Sequence, residues 1–214
     1  FNGSGRKAAR FVSSTNMPPV INLYGDPDFV FGTPRDFPDR FDGEPDYFSP
    51  KGEQKGLLLD TNFVADAVNL PLVEAKERGA GGGHIRFAMA KGSMNSHISQ
   101  FPVGTYKKAH CHGPGAHVIM LHGEGYSLMW PEGEEPTQYK WQEGTMIVPP
   151  NMWFHQHFNS GTTPGRYLAF KHEGVAIRNA QGVPKAWISR RLGGDQLDYA
   201  DEKPVIRQMF SDAL

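Results

Sequence analysis

The sequence has a single cysteine, no surplus of charge and no long apolar run, and each lack removes a class of protein. Cys111 stands alone among 214 residues, so no intramolecular disulfide can form and nothing in the thiol count speaks for secretion. A reducing compartment, the cytoplasm, is the expectation. Lys plus Arg number 22 against 23 Asp plus Glu, a formal charge of −1, which leaves no field to gather nucleic acid or an anionic membrane surface. Apolar runs fall short of the roughly 20 residues that span a bilayer, and the start shows no charged-then-apolar signal pattern. The chain opens on Phe1 rather than Met, which leaves room for further sequence ahead of it.

What is present fills one sizeable core with decorated ends. Residues 1 to 56 hold prolines at 18, 19, 27, 34, 38, 45 and 50, and their aromatics follow neither a period of 2 nor one of 3.6. This reads as an irregular arm. Phe29, Phe31, Phe37, Phe41, Tyr47 and Phe48 give it too much apolar area for a solvated tail, so it is expected to lie against the rest of the chain or a neighbouring subunit. A mixed segment, Leu57 to Arg78, and a GAGGG break at 79 to 83 follow. Nine short strand-like segments then run from His84 to His172, parted by Gly, Pro or Asn turns; among them are Tyr106 to His112, Trp153 to Phe158 and Arg166 to His172. So many short strands in about 90 residues predict an all-β antiparallel barrel or sandwich. The division expected is an arm and lead-in over 1–80, a barrel over 81–175 and an extension over 176–214. In that extension Pro204 can open a short amphipathic helix with Val205, Ile206, Met209, Phe210 and Ala213 on one face, packed on its own barrel or crossing to a partner.

Six of the nine histidines lie between 110 and 157, and this clustering is the strongest signal in the chain. His110 and His112 flank Cys111 in a strand, so period-2 alternation sends both imidazoles to one face and the thiol to the other. His155 and His157 repeat the pattern on a later strand. Imidazole is the common borderline ligand for Zn, Fe, Cu, Ni and Mn, and opposed HxH strands in a barrel favour a metal. His84, His97, His122 and His172 stand singly and are assigned no role.

The spacing resembles the cupin superfamily. Its first motif, G(X)5HXH(X)3,4E(X)6G, fits Gly104, His110, Cys111, His112 and Gly123 without a gap, with Ala116 in place of the glutamate. Its second, G(X)5PXG(X)2H(X)3N, fits Gly144, Pro150, His155 and Asn159, with Met152 in place of the internal glycine. The resemblance spans about residues 84 to 172. It implies a double-stranded β-helix, a jelly-roll barrel, in which His110, His112 and His155 hold one divalent metal ion. With Ala116 where most cupins have a carboxylate ligand, three neutral imidazoles leave the ion its full charge and about three of six octahedral positions open. His117, at the longer motif spacing, and His157, on the face of His155, are the candidates for a fourth ligand.

Finer details are similar to gentisate-type ring-cleaving dioxygenases of that superfamily: HxH, three residues and Ala116; MLHGEG over 120–125; and PPNMWFHQHFN over 149–159. That likeness implies ferrous iron on the three histidines and a supporting catalytic role for His157. Many of those enzymes carry an Arg two residues past the Ala to meet a substrate carboxylate; this chain has Val118 there, and Arg86 or Arg166 can substitute only if its strand aims it inward. The function expected is a mononuclear non-haem iron dioxygenase acting on a small aromatic or enolic substrate that chelates Fe(II). A lyase, isomerase or hydrolase using Mn, Zn or Ni as Lewis acid, and a non-catalytic binding barrel, are the alternatives. A homodimer or larger homo-oligomer is expected, since the residues outside the barrel can cover its sheet edges.

Overall fold

A computed structural model describes residues 5–34, 42–47, 52–89, 94–113, 115–172 and 183–214. The expected arm residues Phe37, Phe41 and Phe48 lie outside them. The chain divides into two compact units, residues 1–36 and 37–214, each described by itself.

The first unit contains two short helices, α1 (Met17–Tyr24) and α2 (Pro27–Phe31). Pro18 and Pro19 sit in the first turn of α1, where a missing N–H costs nothing. Gly25 closes that helix in the left-handed conformation, its N–H donating to the Ile21 carbonyl at 2.7 Å. Asp26 caps α2 by accepting from the backbone of Asp28 and Phe29, and Tyr24 meets Phe29 at 5.1 Å between ring centroids. Helical turns thus punctuate the expected irregular arm.

The second unit is the all-β jelly roll. Its strands are β1 (Gly52–Lys55), β2 (Leu58–Thr61), β3 (Val73–Glu74), β4 (Gly83–Met89), β5 (Met94–Phe101), β6 (Thr105–Tyr106), β7 (His117–His122), β8 (Glu124–Trp130), β9 (Thr137–Gln142), β10 (Met146–Ile147), β11 (Phe154–Asn159) and β12 (Gly165–His172). One sheet runs β1-β2-β4-β5-β12-β7-β10 with β3 beside β4; the other runs β6-β11-β8-β9. Pairing is antiparallel except between β2 and β4. Residues 52 to 74 therefore extend the first sheet from ahead of the barrel motifs.

Three apolar clusters follow from period-2 alternation. Between the sheets lie Phe101, Val118, Met120, Met129, Trp141, Tyr167 and Ala169. On the outer face of the larger sheet, Ile85, Phe87 and Ile98 are covered by Leu59, Val64, Leu70 and Leu72. On the outer face of the smaller sheet, Tyr126, Leu128, Trp130, Phe154 and Phe158 are covered by the C-terminal segment through Ile206 and Phe210. Helix α3 (Pro204–Ser211) thus packs on its own barrel. Its buried stripe is narrower than expected: Val205 is 43% exposed, and Ala213 lies past the helix end. No helix among the described residues is long and apolar enough to cross a membrane.

One expected strand is interrupted. Lys107 still donates its N–H to the His157 carbonyl at 3.1 Å. The register then slips from Tyr106 opposite Phe158 to His110 opposite His155, one extra residue that forms a bulge, with the Lys108 N–H turned away to the Arg78 carbonyl at 3.3 Å. That irregularity turns Lys107 and His110 inward while Ala109 and Cys111 join the outer cluster.

Candidate metal centre

Two segments bring the expected ligands together. His110 bridges His155 on β11, and His112 anchors the next turn by accepting the Met152 N–H at 3.1 Å. The ring centroids of His110, His112 and His155 are separated by 5.3, 4.2 and 5.0 Å, and one nitrogen from each lies within 4.8 Å of the others. Metal–nitrogen bonds of about 2.0–2.1 Å close such a triangle after small ring rotations, so the donor set fits a borderline divalent ion. His155 is prepared for it: its Nδ1 lies 3.1 Å from the Trp153 carbonyl, and a proton donated there leaves Nε2 free as a ligand atom. Ala116, at the place of the motif glutamate, is buried in the apolar cluster between the sheets, and the triad contains no carboxylate.

The other expected residues separate. His157 lies inside with the triad, buried, its centroid 6.0 Å from that of His155. Its Nδ1 meets Ser127 Oγ at 2.7 Å, and burial, then Lys107 and Arg78, push its pKa down to about 3, so it is a neutral imidazole. His117 is exposed at the start of β7, on the face opposite buried Val118, and is not part of the triad. Cys111 faces away, in the outer cluster, and burial raises its thiol to about 11. Arg166 is aimed outward: its guanidinium clamps the Ala67 and Leu70 carbonyls and Gln100. Arg86 shares the inward side of β4 with His84 and is partly exposed.

Two cationic residues escaped the sequence reading. Arg78, 4% exposed, ends a 3-10 turn; its Nη2 lies 2.8 Å from His110 Nδ1, and its Nη1 donates to Gln196 Oε1. Lys107, 1% exposed, donates to Ser99 Oγ and lies 5.7 Å from the ring centroids of Phe101 and Tyr167. Burial pushes both below their ordinary pKa values. The GAGGG stretch is the trace in sequence of the corner that delivers Arg78. Gly79, Ala80 and Gly81 have φ of 71°, 61° and 58°, a run of positive φ that the two glycines adopt readily and Ala80 only under strain.

No family model matches the chain, and neither does any curated protein. Solved structures similar to it include the capsular polysaccharide assembling protein CapF of Staphylococcus aureus, at 14% identity and TM-score 0.44 over 54% of this chain and 32% of that one. A cupin-like protein of Thermotoga maritima is 11% identical, TM-score 0.42, over 51% and 83% of the two chains. The CENP-C cupin domain of Drosophila melanogaster is 13% identical, TM-score 0.39, over 46% and 68%. This chain thus spans about a third of the CapF chain.

Proposed function

We propose that the barrel is a metal-dependent enzyme of the cupin kind, a mononuclear non-haem iron dioxygenase in which His110, His112 and His155 hold one Fe(II). The observation that carries this reading is the inward triad of imidazoles without a carboxylate, a set suited to a borderline ion with positions left open for ligands. When bound, the ion supplies Lewis acidity and a place for oxygen and a chelating aromatic or enolic substrate to meet.

The chain's own residues do the rest. The Trp153 carbonyl fixes the tautomer of His155, and Ser127 fixes the ring of His157. To His157, neutral and buried beside the triad, we assign the relay of a proton from a substrate hydroxyl whose acidity a bound ion would raise. Val118, Met120 and Met129 give that interior an apolar wall on one side.

Metal analysis of purified protein, paired with oxygen uptake in the presence of catechol-like and enolic substrates, tests the reading. About one iron per chain is expected, lost in His110→Ala, His112→Ala and His155→Ala, because two remaining imidazoles compete poorly with water. Stoichiometric metal retained in any two of these variants refutes the ligand set. Metal bound without oxygen uptake refutes the oxygenase.

A further inference from the structure

The interior beside the triad carries two buried cations, Arg78 and Lys107, and among the described residues neither has a carboxylate partner. Among the described residues the Arg78 guanidinium meets neutral groups: Gln196, the Lys108 carbonyl and His110. Among the described residues the Lys107 amine donates to Ser99 Oγ, with two aromatic rings nearby. The chain does not lack carboxylates for the task. Glu202 is buried on the far side of the smaller sheet, spent on Gln156 and Tyr106, and Asp198 pairs with the neighbouring Lys108. An unpaired charge is costly to bury, and a fold that keeps a guanidinium and an amine in one interior without a carboxylate is arranged for a counter-charge from outside.

A second observation points the same way. His84, 4% exposed, has its Nε2 buried with no hydrogen-bond partner, and His97 has its Nδ1 in the same state. Both sit on the inward face of the larger sheet, where His84 pairs with Ser99 and His97 with Ala169. Their rings lie 4.8 Å apart, and His97 is 5.9 Å from Tyr167, whose ring also flanks Lys107. Buried polar atoms are nearly always satisfied, so two orphans beside two unpaired cations mark ground prepared for a polar guest.

We propose that Arg78 and Lys107 bind an anionic group of the substrate, a carboxylate, with His84 and His97 as neutral hydrogen-bonding partners, so that the enzyme acts on carboxylic acids. That the guest is a substrate rests on the function proposed above; the anion site itself needs no metal. The carboxylate takes the place of the missing protein counter-ion, and a bidentate contact to the guanidinium draws Arg78 off His110 Nδ1.

The test uses chelator-treated, metal-free protein titrated by calorimetry with acetate and with benzoate at constant ionic strength. Saturable binding of one anion per chain is expected, weakened about 10- to 100-fold in Lys107→Met and in Arg78→Met, as for loss of a charged hydrogen bond. Lys107→Met is also expected to melt at a higher temperature than the parent, since it removes an unpaired buried charge; a merely structural lysine gives the opposite shift. Should Arg78→Met fail to fold, Lys107→Met decides alone. The inference is overturned if neither anion saturates the parent protein, or if the folded variants bind as tightly as the parent. Because metal content is measured separately, metal binding without anion binding defeats this inference alone, and the converse defeats only the metal reading.

Discussion

His110 and His155 hold each other by the backbone as well as by their rings. The N–H of His155 donates to the His110 carbonyl at 2.9 Å, and the N–H of His110 to the His155 carbonyl at 3.2 Å, with ring centroids 4.2 Å apart. The chain, not an ion, brings these two imidazoles together. Chelator-treated protein is therefore expected to keep its β-sheet circular dichroism and a cooperative melt, with a lowered Tm. Metal at about a hundred times its Kd adds about 2.7 kcal/mol. A random-coil spectrum after chelation contradicts this.

His157 is separable from the triad because Ser127 positions it independently. His157→Ala is expected to leave metal content nearly intact and to lower turnover roughly 10- to 100-fold, as losses next to a metal's ligands do. Ser127→Ala gives a smaller loss in the same direction. Iron analysis with steady-state kinetics checks both, and complete metal loss in His157→Ala makes it a fourth ligand.

Met152 stands where the second motif has glycine, and its φ is 61°. A side chain in that left-handed region costs roughly 1–2 kcal/mol, and Met152, 51% exposed, gains little from burial in return. Met152→Gly is expected to be neutral or stabilising by up to about 1 kcal/mol, and Met152→Val, β-branched, destabilising by at least about 1 kcal/mol. Urea unfolding ranks the three, and Val more stable than Gly defeats the argument.

The same geometry shows what the spacing of the motifs records. Gly104, Gly123 and Gly144 have φ of 64°, 87° and 81°, so the motif glycines are turns that other residues enter only under strain. Asn159 is fully buried and donates to the Pro102 and Thr163 carbonyls at 3.1 and 2.9 Å, tying one corner of the barrel. Turns and alternating strands are local events, and for that reason the triad and the barrel were legible residue by residue. Arg78 and Lys107 were not. Their significance lies in the carboxylates they do not meet, which is a property of three-dimensional neighbours. The parallel pairing of β2 with β4 is likewise set by contacts distant in sequence, and no periodicity announces it.

Acid should unfold the protein through its interior histidines. Burial lowers His84 well below its ordinary pKa and His157 to about 3, so below about pH 6.5 the unfolded chain binds protons that the folded one refuses. Stability is full above the unfolded pKa and falls as pH drops toward the folded values. Each such histidine contributes a slope of about 1.4 kcal/mol per pH unit. His157→Gln is expected to flatten the dependence by that amount between about pH 6 and 4. Unfolding free energies measured across the range check it; an unchanged slope means that His157 is already protonated in the folded state.

Cys111 lies between the smaller sheet and the C-terminal segment, its Sγ 3.9 Å from the Asp195 carbonyl and its thiol raised to about 11. A thiol so protonated and covered is inert to alkylating reagents, and the chain has no second one to confuse the signal. The molecule therefore carries its own stopwatch. The rate at which a maleimide labels Cys111 under native conditions times the lifting of the segment around Asp195 from the strand that carries His110 and His112.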